Sequence, residues 1–132
     1  MQGKETVLDD YSFLVSQTNE KGVITFVNDD FCKIAEYTVE ELTGKPHNII
    51  RHPDMPKIAF KGLWDTIQKD EIWTGYVKNM TKSKGFYWVY ATVYPLIDRN
   101  GDKAYMSCRR KANKEEIETY GLLYEKLLKD ER

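Results

Sequence analysis

Both histidines of the chain fall in one short stretch, Lys45-Pro46-His47-Asn48-Ile49-Ile50-Arg51-His52-Pro53-Asp54-Met55-Pro56. The same stretch holds Arg51, Asp54 and three of the four prolines. Each proline lacks a backbone donor and restricts the residue before it, so neither a long helix nor a central strand can run through here. The expectation is a short, stiff, irregular connection. Stiff loops that concentrate His, Arg and Asp are suited to gripping small charged ligands. A proline-bounded surface loop with solvated charges is the plainer alternative.

Several chemistries can be weighed against these residues. Cys32 and His47 could form a nucleophile–base pair, but no oxyanion-hole signature or nucleophile elbow accompanies them. Walker and GxGxxG phosphate loops are missing from the sequence. His47, His52 and Asp54 are metal-capable, yet two His five residues apart between prolines match neither helical i,i+4 ligation nor a zinc-finger spacing. A haem would need His47 or His52 as its axial ligand. A flat organic cofactor is the remaining possibility. Trp64, Trp73, Tyr87, Trp88 and Tyr90 fall on or beside the elements that follow the loop. Alternation along Phe86-Tyr87-Trp88-Val89-Tyr90 sends Tyr87 and Val89 to one face and Trp88 and Tyr90 to the other. Asn28 and Asn79 each offer an amide that both donates and accepts. Core packing is the commoner role for any one of these rings.

The elements that must position these groups are legible. The 132-residue chain suits one domain with one core. Hydrophobic content of 41% and charged content of 31% describe a globular chain rather than a disordered one. A net charge of −1 gives no electrostatic case for nucleic acid or an anionic membrane surface. The sequence has no apolar run of membrane-spanning length and no signal-peptide core, so direct membrane insertion is not expected. Cys32 and Cys108 lie far apart with no CxxC or metal spacing, the pattern of reduced cytoplasmic thiols.

Residues 13–18 and 23–27 read as strands around the turn at Asn19-Glu20-Lys21-Gly22. Asn28 or Asp29 can cap a helix through Phe31, Ile34 and Ala35. Thr38 and Glu41 have capping-box spacing before Leu42, and Gly44 can end that helix. After Pro56, the spacing of Ile58, Phe60, Leu63, Trp64 and Ile67 predicts an amphipathic helix. Strands are predicted over 74–80, 86–96 and 103–110. Pro95 interrupts the second near its end, and Asn100-Gly101 marks the hairpin to the third. Residues 114–129 predict a helix with Ile117, Tyr120, Tyr124, Leu127 and Leu128 on one face, folded back on the sheet or leading to a connector. The fold class is therefore α+β, a five-stranded antiparallel sheet with short helices over one face and a C-terminal helix. The expected organisation is an N-terminal extension over 1–12, a sensor domain over 13–112 and an amphipathic helix or connector over 113–132.

Three stretches carry a family resemblance: Asn28-Asp29-Asp30-Phe31; Gly44-Lys45-Pro46-His47-Asn48 with Arg51-His52-Pro53-Asp54-Met55-Pro56; and Trp73-Thr74-Gly75-Tyr76-Val77-Lys78-Asn79 with Tyr87-Trp88-Val89. Between about Leu14 and Leu123 the chain resembles a PAS domain, in particular the FAD-binding PAS domains of bacterial aerotaxis receptors. The Arg-His-Pro-Asp-Met-Pro string is the most specific part of the likeness.

The resemblance implies a bound FAD and a non-enzymatic role in sensing oxygen or cellular redox state. Carried over by motif, the cofactor-binding residues are Asn28, His47, Arg51, His52, Asp54, Trp73, Asn79 and Tyr87, and Asn48 and Phe60 are expected beside them. Arg51 and His52 would face the diphosphate or ribityl chain, Asp54 would hold Arg51 or a cofactor hydroxyl, and Trp73 would pack on the adenine or ring edge. Light-sensing LOV relatives place a reactive cysteine where this chain reads Arg51-His52-Pro53-Asp54, so no cysteinyl photoadduct is expected. The partners implied are a chemoreceptor or signalling protein, such as a HAMP-type or methyl-accepting domain in cis or in trans, and a second copy of the chain. Localisation would be cytoplasmic, at the inner face of the membrane if a partner or further segment holds it there. A haem-binding PAS gas sensor and a cofactor-free dimerisation or docking module are the alternatives.

Overall fold

A computed structural model describes residues 3–131 of the chain. Residues 1 and 2 of the expected N-terminal extension, and residue 132 of the expected connector, lie outside the described residues. Five strands form one antiparallel sheet: β1 (Leu14–Asn19), β2 (Ile24–Val27), β3 (Trp73–Met80), β4 (Phe86–Ile97) and β5 (Lys103–Lys111). Their spatial order is β2-β1-β5-β4-β3. The first hairpin and the last three strands thus meet where β1 pairs with β5, with Ser16 opposite Ser107 and Leu14 opposite Arg109. Helices α1 (Asp29–Ala35), α2 (Val39–Leu42) and α3 (Lys57–Gln68) lie between the two halves in sequence, and α4 (Lys114–Glu131) ends the chain. The proline-bounded stretch forms a short 3-10 turn over His47–Ile50 and then an irregular crossing to α3.

Local chemistry sets the boundaries. The Asn28 side chain caps α1 by accepting from the Phe31 N–H, and the same oxygen accepts from Val15 N–H. Its amide N–H donates to the Phe13 carbonyl, so this one residue joins helix and strand. Thr38 and Glu41 close the predicted capping box on α2. Gly101 takes a φ of +84° in the β4–β5 turn, the left-handed conformation that an Asn-Gly hairpin requires. Pro95 does not end β4. It pairs with Tyr105 of β5 at a point beyond Val93, the last β4 residue with a partner on β3. A missing donor is tolerated where a strand has lost one neighbour.

Alternation divides the sheet into two environments. The inner face carries Leu14, Val77, Tyr87, Val89 and Ala91, packed with Phe31, Ala35, Leu42 and Ile50 from the helical side. The other face carries Tyr76 and Trp88, covered by α4. Tyr124 of α4 donates to the Tyr76 carbonyl at 2.7 Å and stacks on Trp88 with ring centroids 6.2 Å apart. The expected alternation holds: Tyr87 faces the helices, whereas Trp88 packs against α4. The N-terminal stretch is not detached from the domain. Glu5 bridges Phe86 in parallel and Leu8 is buried in the core. Among the described residues, no helix is long and apolar enough to cross a membrane.

Candidate functional site

Between α3 and the inner sheet face lies a cavity of about 150 Å³. One water needs about 10–15 Å³ on the same scale, so the space is of ligand size. Its apolar wall comes from Phe60, Leu63, Trp64 and Ile67 on α3, with Val77, Ala91 and Val93 on the sheet. Its polar lining comes from Thr18, His47, Asn48, Arg51, Asn79, Ser107 and Arg109. The 3.6-residue period of α3 and the two-residue period of the strands place these side chains on one common space.

Arg109 dominates the polar end. It is buried, and its guanidinium donates to Ser16 Oγ at 3.1 Å and to His47 Nε2 at 2.8 Å. The face of Phe31 lies 5.0 Å away. Among the described residues no carboxylate pairs with Arg109, so its charge is met only by neutral groups. Burial draws its pKa down to about 10. Burial and the Arg109 charge push His47 down to about 3, so its imidazole is neutral and accepts at Nε2. Burial raises the Tyr87 phenol to about 12, against the pull of Arg109. Two buried hydroxyls here, Tyr87 Oη and Ser107 Oγ, make no hydrogen bond within the protein. Asn79 is close enough to lower the Tyr87 value slightly but does not reach bonding geometry.

The residues expected from the sequence fall into three groups. His47, Asn48, Arg51, Phe60 and Asn79 line the cavity, and Arg51 sits 4.0 Å over the Phe60 ring. Tyr87 is fully buried beside them on the inner face. His52 and Asp54 lie elsewhere, at the β3 edge. Asp54 accepts from the Lys78 ammonium at 2.8 Å, and its own N–H donates to His52 Nδ1 at 3.0 Å. Burial, aided by the Lys78 charge, lowers the His52 pKa. Asn28 is committed to α1 and β1. Trp73 packs against the small cluster of Ile67, Val93 and Tyr105. The cluster at His52 is tied to the cavity through the backbone, because Arg51 forms a bridge with Asn79.

Sequence reasoning missed Ser16, Ser107 and Arg109. Their signal was phase: Tyr105, Ser107 and Arg109 share the inward face of β5, so Arg109 is a charge at a core position while its neighbour Arg110 is exposed. The combination suits a flat heterocycle with one apolar and one acceptor-rich edge. Leu63, Ile67 and Val93 would take the apolar edge. Arg109, Asn79 and Ser107 would supply donors to the other.

The PAS fold family model matches residues 24–110. The chain is 44% identical to the aerotaxis receptor of Escherichia coli strain K12 over 124 residues, covering 94% of this chain and 24% of that protein. It is 23% identical to the nitrogen fixation regulatory protein of Klebsiella pneumoniae, over 80% of this chain and 21% of that one. The chain thus spans about a quarter or less of these curated relatives. Among solved structures it resembles the dark structure of the blue-light photoreceptor Aureochrome1 LOV, with a TM-score of 0.69 at 16% identity, covering 90% of this chain and 86% of that one. The PAS domain of a Colwellia psychrerythraea protein gives 0.68 at 20% identity, over 80% and 91%. The sheet order, the helix-covered cavity and these matches agree that the chain belongs to the PAS family.

Proposed function

We propose that this chain is an FAD-binding PAS sensory module that reports oxygen or cellular redox state to a chemotaxis signalling partner. The observation that carries the reading is the cavity itself. It joins an apolar wall to a buried arginine that no described carboxylate pairs and to Ser107, whose hydroxyl has no partner within the protein. In the ligand-free fold a space of this size can hold water against its polar end. A ligand with an acceptor-rich edge replaces that water with fixed partners. The identity to an aerotaxis receptor supports the sensory reading, and the resemblance of the proline-bounded loop supports FAD.

When bound, a flavin supplies reversible electron transfer together with a change in its pattern of donors and acceptors. The residues of the chain then act as holders and readers. Arg109 offers a fixed positive charge at the polar end, positioned by His47 and Ser16. Asn79 carries an amide that can present either its oxygen or its nitrogen by rotating. Its backbone bridges Arg51, and its neighbour Lys78 holds Asp54. A rotation at Asn79 is therefore felt in β3 and in the loop that closes the cavity. β3 also carries Tyr76, to which α4 is bonded, so α4 or a partner beside it can read the change. A coupling of about 1–3 kcal/mol suffices for a useful switch. The signalling partner would be a chemoreceptor or methyl-accepting domain in the cytoplasm, in cis or in trans, with a second copy of the chain as a further partner. The role is signalling rather than catalysis.

The purified protein should be yellow, and the released cofactor should elute as FAD. Arg109→Met and Asn79→Leu should each lower occupancy. A colourless protein that takes up no FAD, or full occupancy in both variants, would overturn the reading. A Soret band would point instead to haem. In the present arrangement a haem would have to displace Arg109 and Ser16 from His47 Nε2, or the Asp54 N–H from His52 Nδ1.

A further inference from the structure

We propose that Ser107 is a ligand-contacting residue of this cavity, whose hydroxyl donates to an acceptor on the edge of the bound ring nearest Arg109. The inference rests on the flavin reading and adds to it a residue to which the sequence reading gave no role. Ser107 is 8% exposed and lines the cavity. Its Oγ has no hydrogen-bond partner within the protein.

The contrast with Ser16 is informative. The two serines stand opposite each other on β1 and β5. Ser16 Oγ accepts from Arg109 and lies 3.1 Å from His47 Nε2, so its hydroxyl is satisfied inside the fold. Ser107 has the same side chain, the same face and comparable burial, and yet no partner. A cavity hydroxyl with no partner within the protein contributes little to the ligand-free fold, and alanine at that position packs as well. A serine kept for folding would show the opposite behaviour.

Position supports the role. Ser107 precedes Arg109 by two residues on the same face of β5, so the two side chains stand side by side. Across the sheet it pairs with Val93, which belongs to the apolar wall. Ser107 thus sits on the boundary between the polar and apolar halves of the cavity. A hydroxyl turns about a single torsion and can follow an acceptor placed there.

The test compares wild type, Ser107→Ala and Ser107→Thr in two measurements. One is thermal unfolding of the ligand-free protein; the other is FAD affinity from quenching of flavin fluorescence. The expected result for Ser107→Ala is a ligand-free midpoint unchanged or higher, with FAD binding weakened about 5–10-fold, the worth of one hydrogen bond. Ser107→Thr should restore most of the affinity. Unchanged FAD affinity in Ser107→Ala overturns the proposal, as does a lowered ligand-free midpoint. If wild type binds no FAD, the flavin reading fails separately. The midpoint then decides for Ser107: an unchanged or higher value upholds a hydroxyl kept for a ligand, and a fall assigns it to the fold.

Discussion

The guanidinium of Arg109 donates to Nε2 of His47 across 2.8 Å, inside a core where no described carboxylate balances its charge. That bond fixes the imidazole as a neutral acceptor, since a protonated ring would meet Arg109 with a donor and a like charge. The loop reached through the prolines is thus locked to β5 by a hydrogen bond rather than by an ion pair.

This relationship predicts a pH dependence of stability. His47 is held down to about 3 in the folded protein, against an ordinary value of 6.5. Between those limits the unfolded chain binds a proton that the folded chain refuses. Stability therefore falls as pH drops from about 6.5 toward 3, with a slope of up to ~1.4 kcal/mol per pH unit from this group. His52 is shifted in the same direction and adds to the fall. His47→Gln keeps an acceptor for Arg109 and removes the titration. Urea midpoints between pH 6.5 and 5 should decline less steeply in the variant than in wild type. Parallel curves would remove His47 as the source.

Lys78 and Asp54 form an unequal pair. The lysine side chain is 9% exposed and the aspartate 46%, so only one of the two can recover hydration when the other is removed. Asp54→Asn leaves an ammonium buried beside the Phe86 ring without its carboxylate. Lys78→Met leaves a carboxylate that water can reach. The aspartate substitution should cost more, by about 1–2 kcal/mol after allowance for the exposure of Asp54. Chemical unfolding of the two variants checks the order, and equal losses would mean that the pair is solvated as a unit.

Trp73 folds back across Gly75. A Cβ built on Gly75 would lie 2.6 Å from two carbons of the Trp73 ring. Gly75→Ala must therefore displace the indole from Ile67, Val93 and Tyr105, at a cost of about 1–3 kcal/mol for overpacking. A shift in tryptophan emission should accompany the loss. An unchanged spectrum and midpoint would show that the ring has room to move.

Much of this arrangement was legible in the residues. Period-2 and period-3.6 patterns located all five strands and α3, and the Thr38–Glu41 and Asn28 caps acted where their spacing placed them. These signals are local, and local bonds enforce them. The proline-bounded loop was recognisable as stiff, but its division was not. His47 and Arg51 turn toward the cavity while His52 and Asp54 turn to the β3 edge, because the backbone bridge from Arg51 to Asn79 sends successive side chains to different sides. Arg109 was hidden for a different reason. A basic residue near a strand end reads as solvated, and only its phase with Tyr105 and Ser107 places it inside. Partnership over 62 residues, from His47 to Arg109, leaves no trace in spacing.

Glu131 ties the last turn of α4 to the first turn of α3. Pro56 precedes α3 and gives it no side-chain cap, so its first N–H groups need acceptors from elsewhere. Glu131 Oε2 accepts from the Ile58 N–H at 3.0 Å. The backbone N–H groups of Lys57 and Ile58 hold its carboxyl below the usual range, with help from the charges of Lys57 and Arg51. The contact is thus present above the ordinary glutamate range and lost as pH falls through the lowered folded value. Because α3 walls the cavity, this carboxylate joins the ligand site to the helix that covers the far side of the sheet. Glu131→Ala should speed amide exchange at Lys57, Ile58 and the last turn of α4, and leave Tyr87 and Val89 protected. Glu131→Gln keeps an acceptor without the charge and should fall between alanine and wild type. Exchange at Ile58 that is equal in all three proteins would mean that the cap does not hold α4 in solution.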